Sequence, residues 1–323
     1  MTTTHSAVVE APDAARDEAL HQLGRALRAT GYTFTTVTPV THERVNRRPQ
    51  NAWATDVRGA LGWSRPFRPD TLPSSIVELM DAAGVLERDG DSWRSTVRFS
   101  TYDDELFVHS AFPTTAADAV FFGPDTYRMA DAAAAHAASR SGRVRRAVDI
   151  GCGTGAGAIA VAKRAPEAEV LAVDINDTAL RYARVNVALA GTSGVRPCRS
   201  NLLSDVEGNF DLIISNPPFM VDPAGRAYRD GGGSGGHDLS LSIIDVAAER
   251  LEPGGSLVLF SGVGIVDGHD SLRAAAAERL AGTDLTWTYR EVDPDVYDEE
   301  LDGEAYGNAE RIAVVLLTAE RPG

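Results

Sequence analysis

A single run of seven residues constrains the fold of this chain more than any other: Asp149-Ile150-Gly151-Cys152-Gly153-Thr154-Gly155. An apolar stretch of strand length, residues 147–150, leads into it, and a helical apolar pattern over 156–164 leads out. Glycines at 151, 153 and 155 leave the backbone free to turn at positive φ and to approach a ligand with no Cβ in the way. The helix that follows points its unpaired N–H groups at whatever sits over the turn. Strand, glycine turn and helix in that order open a parallel sheet, because a parallel neighbour needs a helical crossover.

The second half repeats that alternation. Strands are expected over 169–173, near Val195, and over 210–215, 256–260, 285–291 and 311–318, with helices over 177–189, 238–251 and 270–280. This predicts a mostly parallel sheet with helices on both faces. Only an irregular loop joins the last two strands, so they should be antiparallel neighbours. Upstream the pattern differs. Residues 1–12 are small and polar and read as a disordered tail. Residues 13–112 hold helical stripes (Ala19, Leu20, Leu23 and Leu27, then 51–61 and 73–83) followed by period-two stretches over 85–88, 93–99 and 105–111. We read them as a helical, winged-helix-like substrate-recognition domain. Residues 113–140 read as a connector with an alanine-rich helix, and 141–323 as the catalytic, cofactor-binding domain.

Charge narrows the partners. The chain has 31 basic and 46 acidic residues, a net of −15, and residues 147–323 carry almost all of the excess, with 14 basic against 28 acidic. Such a surface repels phosphate backbones, so nucleic acid is not the expected partner. The two cysteines, Cys152 and Cys198, are too few for a disulfide framework or a zinc cluster. No apolar run approaches the roughly 20 residues of a membrane-spanning helix. The expectation is a cytoplasmic protein that uses neither metal nor membrane.

Two further motifs specify the ligand. Asp174 ends the second strand, 19 residues past Gly155, where a carboxylate can take both hydroxyls of a ribose. With the glycine turn it suggests an adenosine ligand. Asn216-Pro217-Pro218-Phe219 ends the strand over 210–215. An amide, guanidine or exocyclic amine nitrogen has its lone pair delocalised, so it needs orientation more than a strong base. The Asn216 side-chain oxygen and the Pro217 carbonyl can each accept one of its N–H groups, favouring a pyramidal nitrogen. Pro217 and Pro218 stiffen the backbone, and Phe219 can lie against the planar group.

With these three motifs at successive strand ends, the chain resembles the class I S-adenosylmethionine-dependent methyltransferases that modify planar nitrogens, over about residues 121–320. Within that branch it looks like the release-factor glutamine N5 methyltransferase or small-domain methyltransferase family. The resemblance implies an α/β fold: a Rossmann-like, seven-stranded, mostly parallel sheet with an antiparallel last strand. It implies S-adenosyl-L-methionine as cofactor, leaving as S-adenosyl-L-homocysteine. Asp149, Gly151, Cys152, Gly153, Gly155, Asp174, Ile175, Asn201, Leu202 and Asn216 would face the cofactor, and Asn216, Pro217, Pro218 and Phe219 would do the chemistry. The segment Gly123-Pro124-Asp125-Thr126-Tyr127-Arg128 matches the family's proline, acid and threonine segment, but lacks the glutamate that usually follows the threonine. Asp125, Thr126, Tyr127, Arg128, Phe219 and His237 are thus candidates for the acceptor side.

Phe219 is a second departure: glutamine methyltransferases typically have tyrosine there, and guanine N2 enzymes phenylalanine. The expected acceptor is a protein glutamine amide or a small-molecule amide or guanidinium; the alternative is an exocyclic amine of a ribosomal-RNA or DNA base. A non-catalytic cofactor-binding protein or a winged-helix regulator is the reading from another class. Two loops complete the candidate site. One is the glycine-rich stretch 230–237, expected either to close over the substrate or to act as a plain linker, with Asp238 capping the next helix. The other is 291–304, with eight acids in 14 residues and no base, read as an acidic rim.

Overall fold

The structure is a computed structural model that describes residues 11–140, 142–222, 225, 226, 228–233 and 235–323. Most of the expected tail, residues 1–10, lies outside the described residues, as does Ser234 of the glycine-rich stretch. The chain divides into two compact units, one ending at Pro113 and one beginning at Thr114.

The first unit carries α1 (Ala11–Ala29), α2 (Pro39–Asn46), α3 (Val57–Leu61) and α4 (Ser74–Ala82), then β1 (Leu86–Asp89), β2 (Ser92–Ser95), β3 (Val97–Tyr102) and β4 (Glu105–Ser110). Residues 93–99, expected as one strand, are two. The chain breaks at Thr96, so that β2 pairs with β1 and β3 with β4 in separate two-stranded sheets. The Thr96 N–H donates to the Val85 carbonyl and its own carbonyl accepts from Ala111, which keeps the break satisfied. The helix expected over 51–61 shrinks to α3, entered through Asp56, whose carboxylate accepts the Gly59 N–H at 2.6 Å.

The second unit opens with α5 (Pro124–Ser139) and alternates as the pattern requires: β5 (Arg146–Ile150), α6 (Ala156–Arg164), β6 (Glu169–Asp174), α7 (Asp177–Ala190), β7 (Val195–Arg199), β8 (Phe210–Ser215), α8 (Asp238–Arg250), β9 (Leu251–Val266), β10 (His269–Asp270), α9 (Ser271–Leu280), β11 (Thr286–Asp293) and β12 (Arg311–Glu320). The main sheet runs β7-β6-β5-β8-β9-β12-β11, with the short β10 off the path on β9. β5, β6, β7, β8 and β9 are parallel neighbours, while β12 lies antiparallel between β9 and β11. The central strands are buried on both faces by two apolar layers, one around Val148, Ile213, Ile244 and Leu257, the other around Val170, Ala172, Leu212 and Val258. That is why these strands read as near-continuous apolar runs. Among the described residues no helix is long and apolar enough to cross a membrane.

The order of strands fixes where a ligand can sit. From β5 the chain moves outward through β6 to β7, then returns to β8 on the other side of β5. The loops leaving β5 and β8 therefore diverge over opposite faces and open a crevice at the carboxyl edge.

Candidate functional site

All three motifs emerge at that crevice. Ile150 lies opposite Ser215 in the sheet register, so the glycine turn and the Asn216 box leave adjacent strands at the same level. Ala172 and Val173 flank Asp149 and Ile150 on the other side, which brings Asp174 in beside the turn.

The turn is built as its sequence requires. Gly151, Gly153 and Gly155 take φ of 70°, 52° and 78°, the left-handed region that side chains with a Cβ resist. A Cβ on Gly151 would meet open space, so that glycine is needed for the turn itself. The Gly151 and Cys152 N–H groups both donate to the Val173 carbonyl, at 2.9 and 3.0 Å, binding the turn to β6. Asn186 holds it from α7, its side-chain amide donating to the Thr154 carbonyl at 2.9 Å. Burial raises the Cys152 thiol well above its usual range, leaving a protonated, small apolar group.

Asp174 lies half-buried at the end of β6 and organises both neighbouring loops. One oxygen accepts the Gly153 N–H and the other the Asn176 N–H, each at 2.9 Å. Burial raises its carboxyl, and these backbone bonds oppose the shift. The next residue, Ile175, is 52% exposed, the one large hydrophobic side chain left in solvent among the described residues. Asn176 caps α7 and, through its side-chain amide, donates to the Asp118 carbonyl at 2.9 Å. The strand-to-helix connector that includes Asp118 and Val120 thus passes along the turn, and a Cβ on Gly153 would lie 4.0 Å from Val120. Asn201 and Leu202 follow β7; Asn201 is exposed, and Leu202 has φ of 51° and packs on the core.

At the crevice, the buried acceptors of Asp149 and Asn216 have no hydrogen-bond partner among the described residues. Asp149 spends one oxygen on the Ala158 N–H at 3.0 Å, leaving the other unpaired, and burial pushes its carboxyl up to about 7. The Asn216 side-chain oxygen is likewise buried and unpaired. An orphaned acceptor costs about 1–3 kcal/mol unless a ligand or water satisfies it.

Phe219 is 7% exposed and tightly backed. Gly262 of β9 lies so close that a Cβ there would come within 2.4 Å of its ring, and Tyr297 lies 6.2 Å away, ring to ring. The glycine-rich stretch is no loose linker behind it. Gly231 donates to the Met220 carbonyl at 2.9 Å, and a Cβ on Gly236 would fall 2.5 Å from the Phe219 carbonyl. α8 starts at Asp238 with His237 at its cap position and no side-chain cap bond, so Asp238 does not cap it. The His237 ring bonds the Gly235 carbonyl at 3.2 Å.

The other acceptor-side candidates divide. Thr126, the third residue of α5, accepts the Gly123 N–H with its hydroxyl, and Tyr127 packs edge-on against Phe122. Asp125, buried, accepts a short hydrogen bond from the Tyr297 hydroxyl and lies 3.5 Å from Arg128. The acidic loop is partly neutralised from outside itself: Glu291 pairs with Arg311, Asp293 with Arg128 and Glu300 with Arg229. No group of three or more His, Cys, Asp or Glu among the described residues is placed to hold a metal ion.

Asn186 and Tyr297 were invisible to motif reading. Asn186 had a signal, a polar residue on the stripe Ala179, Tyr182, Ala183 that faces the core. Tyr297 sits in an irregular loop and had none.

Known proteins resemble parts of this chain in sequence and in fold. Residues 131–263 match the family model of the methyltransferase small domain. A release factor glutamine methyltransferase of Deinococcus radiodurans is 36% identical over 165 residues, covering 48% of this chain and 55% of the relative. A ribosomal RNA small subunit methyltransferase C of Haemophilus influenzae is 43% identical over 114 residues, covering 35% of this chain and 31% of the relative. The chain spans about half or less of the curated relatives it matches. The crystal structure of an M. jannaschii tRNA m1G37 methyltransferase superposes with a TM-score of 0.50 at 16% identity, covering 90% of this chain and 71% of that one, a likeness of fold. The likeness to the methyltransferase small domain family is confined to residues 131–263, less than half of the chain.

Proposed function

We propose that the chain is an S-adenosylmethionine-dependent N-methyltransferase whose acceptor is a planar nitrogen, either a glutamine amide of a protein or a small-molecule amide or guanidinium. The observation that carries this reading is the buried, unpartnered side-chain oxygen of Asn216, held at the end of β8 beside the glycine turn. An NH₂ group supplies the donor it lacks, and two prolines keep the oxygen from turning away.

The cofactor fits the residues present. Asp174 has lone pairs beyond its two backbone bonds for ribose hydroxyls. The exposed Ile175 offers an apolar face for a purine, with Asn201 and Leu202 on the next loop. The unpaired oxygen of Asp149 suits the cationic end of an amino-acid moiety, which would draw its carboxyl back down from about 7. Bound there, S-adenosylmethionine supplies an electrophilic sulfonium methyl. The chain's part is orientation: Asn216 and the Pro217 carbonyl accept the two N–H groups, and Phe219 holds the plane. The nitrogen's surplus proton leaves to solvent afterwards.

The relationship to the glutamine methyltransferase supports the amide acceptor. The guanidinium has weaker support, because three of the eight acids expected to attract it are occupied by arginines. The second reading, a base amine of RNA, draws on Phe219 and on the ribosomal RNA relative, against the net charge. Residues 13–112 fit the role of a substrate-recognition domain. Labelled S-adenosylmethionine offered with separate pools of free amino acids, cell protein and RNA tests the proposal. Label in protein or amino acids supports it, and label confined to RNA establishes the second reading. Cofactor binding with no labelled pool makes the protein a non-catalytic binder.

A further inference from the structure

We infer that Tyr297 is a positioning residue for the methyl acceptor: it pins the segment 294–310 as a strap across the carboxyl edge and sets the Phe219 ring. The inference rests on the N-methyltransferase reading above.

The strap joins β11 to β12, and its attachments lie on the two walls of the site. On one wall, the Tyr297 hydroxyl donates to Asp125 in the first turn of α5, and Arg128, one turn on, reaches Asp293 at 2.6 Å just before the strap begins. On the other wall, the Tyr306 hydroxyl accepts the Val221 N–H at 3.0 Å, two residues past Phe219, and Glu300 pairs with Arg229 at 2.6 Å. Phe219, Met220, Tyr306 and Ile312 form one buried cluster, on which Val296, Tyr297 and Leu301 pack. Phe219 is thereby confined from two directions, by β9 at Gly262 and by the Tyr297 ring, tilted at 54°.

Tyr297 is held there against its own preference. Its φ of 56° and ψ of 42° are left-handed, unusual for an aromatic residue and kept only where surrounding contacts over-determine it. Asp125 supplies such a contact. It is 4% exposed, and apart from Arg128 at 3.5 Å the Tyr297 hydroxyl is the side-chain donor that offsets its burial. Neither group is cheap to leave alone, so pin and strap stand or fall together.

Tyr297→Phe keeps the ring and removes the hydrogen bond; Tyr297→Leu also removes the ring. Three readouts are taken: hydrogen exchange of amides 295–306, equilibrium dialysis with labelled S-adenosylmethionine, and initial rates of label transfer into whichever of cell protein, free amino acids or RNA the wild type labels. In Tyr297→Phe, strap exchange should quicken about tenfold while β5 and β6 stay protected. kcat should fall about fivefold, with cofactor affinity within about twofold of wild type. Tyr297→Leu should lose about tenfold more. Asp125→Ala, which removes the acceptor, should match Tyr297→Phe, and the pair together should be no worse than either alone. Unchanged strap exchange and kcat in Tyr297→Phe would overturn the inference, as would loss of cofactor affinity in step with rate, or fully additive losses. A wild type that labels no pool overturns the enzymatic reading instead, while the exchange measurement still decides whether Tyr297 pins the strap.

Discussion

The Ser215 hydroxyl donates to the Ile150 carbonyl at 2.6 Å inside the sheet. Ser215 immediately precedes Asn216 and Ile150 immediately precedes Gly151, so this side-chain bond reinforces the strand ladder that spaces the Asn216 box from the glycine turn. Ser215→Ala should cost about 1 kcal/mol of stability and lower methyl transfer more than cofactor affinity. Equal losses in both, read by initial rates and equilibrium dialysis, would show that the bond only stabilises the sheet.

Asn216→Ala removes the unpartnered acceptor and leaves the backbone of the box in place. Transfer should fall by about 10²- to 10³-fold in kcat, with cofactor binding retained. An active Asn216→Ala enzyme would exclude the orienting role.

Asp174→Ala takes away a carboxylate that organises both Gly153 and Asn176. Affinity for S-adenosylmethionine, measured by calorimetry, should drop about tenfold or more. Affinity equal to wild type would move the ribose elsewhere.

Gly262→Ala places a methyl group where the Phe219 ring lies. Overpacking of this kind costs about 1–3 kcal/mol, and the displaced ring should raise the acceptor KM while cofactor affinity stays level. A variant as stable and active as wild type would mean that the ring moves freely.

The first unit should be acid-sensitive through His42. This side chain is fully buried, bonded to the Trp63 carbonyl at 2.8 Å and near Arg98, and burial followed by that charge lowers its pKa from 6.5 to about 4. Above pH 6.5 folded and unfolded chains are both neutral there, and the histidine has no effect. Between pH 6.5 and about 4 only the unfolded chain takes the proton, so stability falls by about 3 kcal/mol over that window and levels off below it. Urea midpoints followed by tryptophan fluorescence should show this decline, and His42→Gln should make it shallower, the remainder belonging to His109, which burial also holds well below 6.5. An equally steep decline in the variant would assign the sensitivity to other groups.

The second unit was legible because its signals are local. A glycine turn between strand and helix, an acid at the next strand end and a proline box at the strand after that are each fixed by a few neighbouring residues, and parallel topology then brings them together. What escaped reading is what topology alone creates. Tyr297 meets Asp125 across 172 positions, and no periodicity in either segment announces it. The acidic loop looked unopposed because Arg128, Arg229 and Arg311, which neutralise parts of it, lie in other segments. In the first unit the period-two pattern over 93–99 was right in kind, yet a pattern of alternation cannot show that Thr96 ends one pairing and Val97 begins another.

The close backbone packing behind Phe219 also decides where this protein is free to diverge. Gly231 and Gly236 lie against carbonyls that leave no room for a Cβ, so that wall is closed to change by substitution. The strap is open: Asp295, Asp298, Asp302 and Glu304 are exposed on it, and exchanging them disturbs no packed core. A lineage that acquires a new acceptor on this scaffold would be expected to record it in the strap and to keep the glycines.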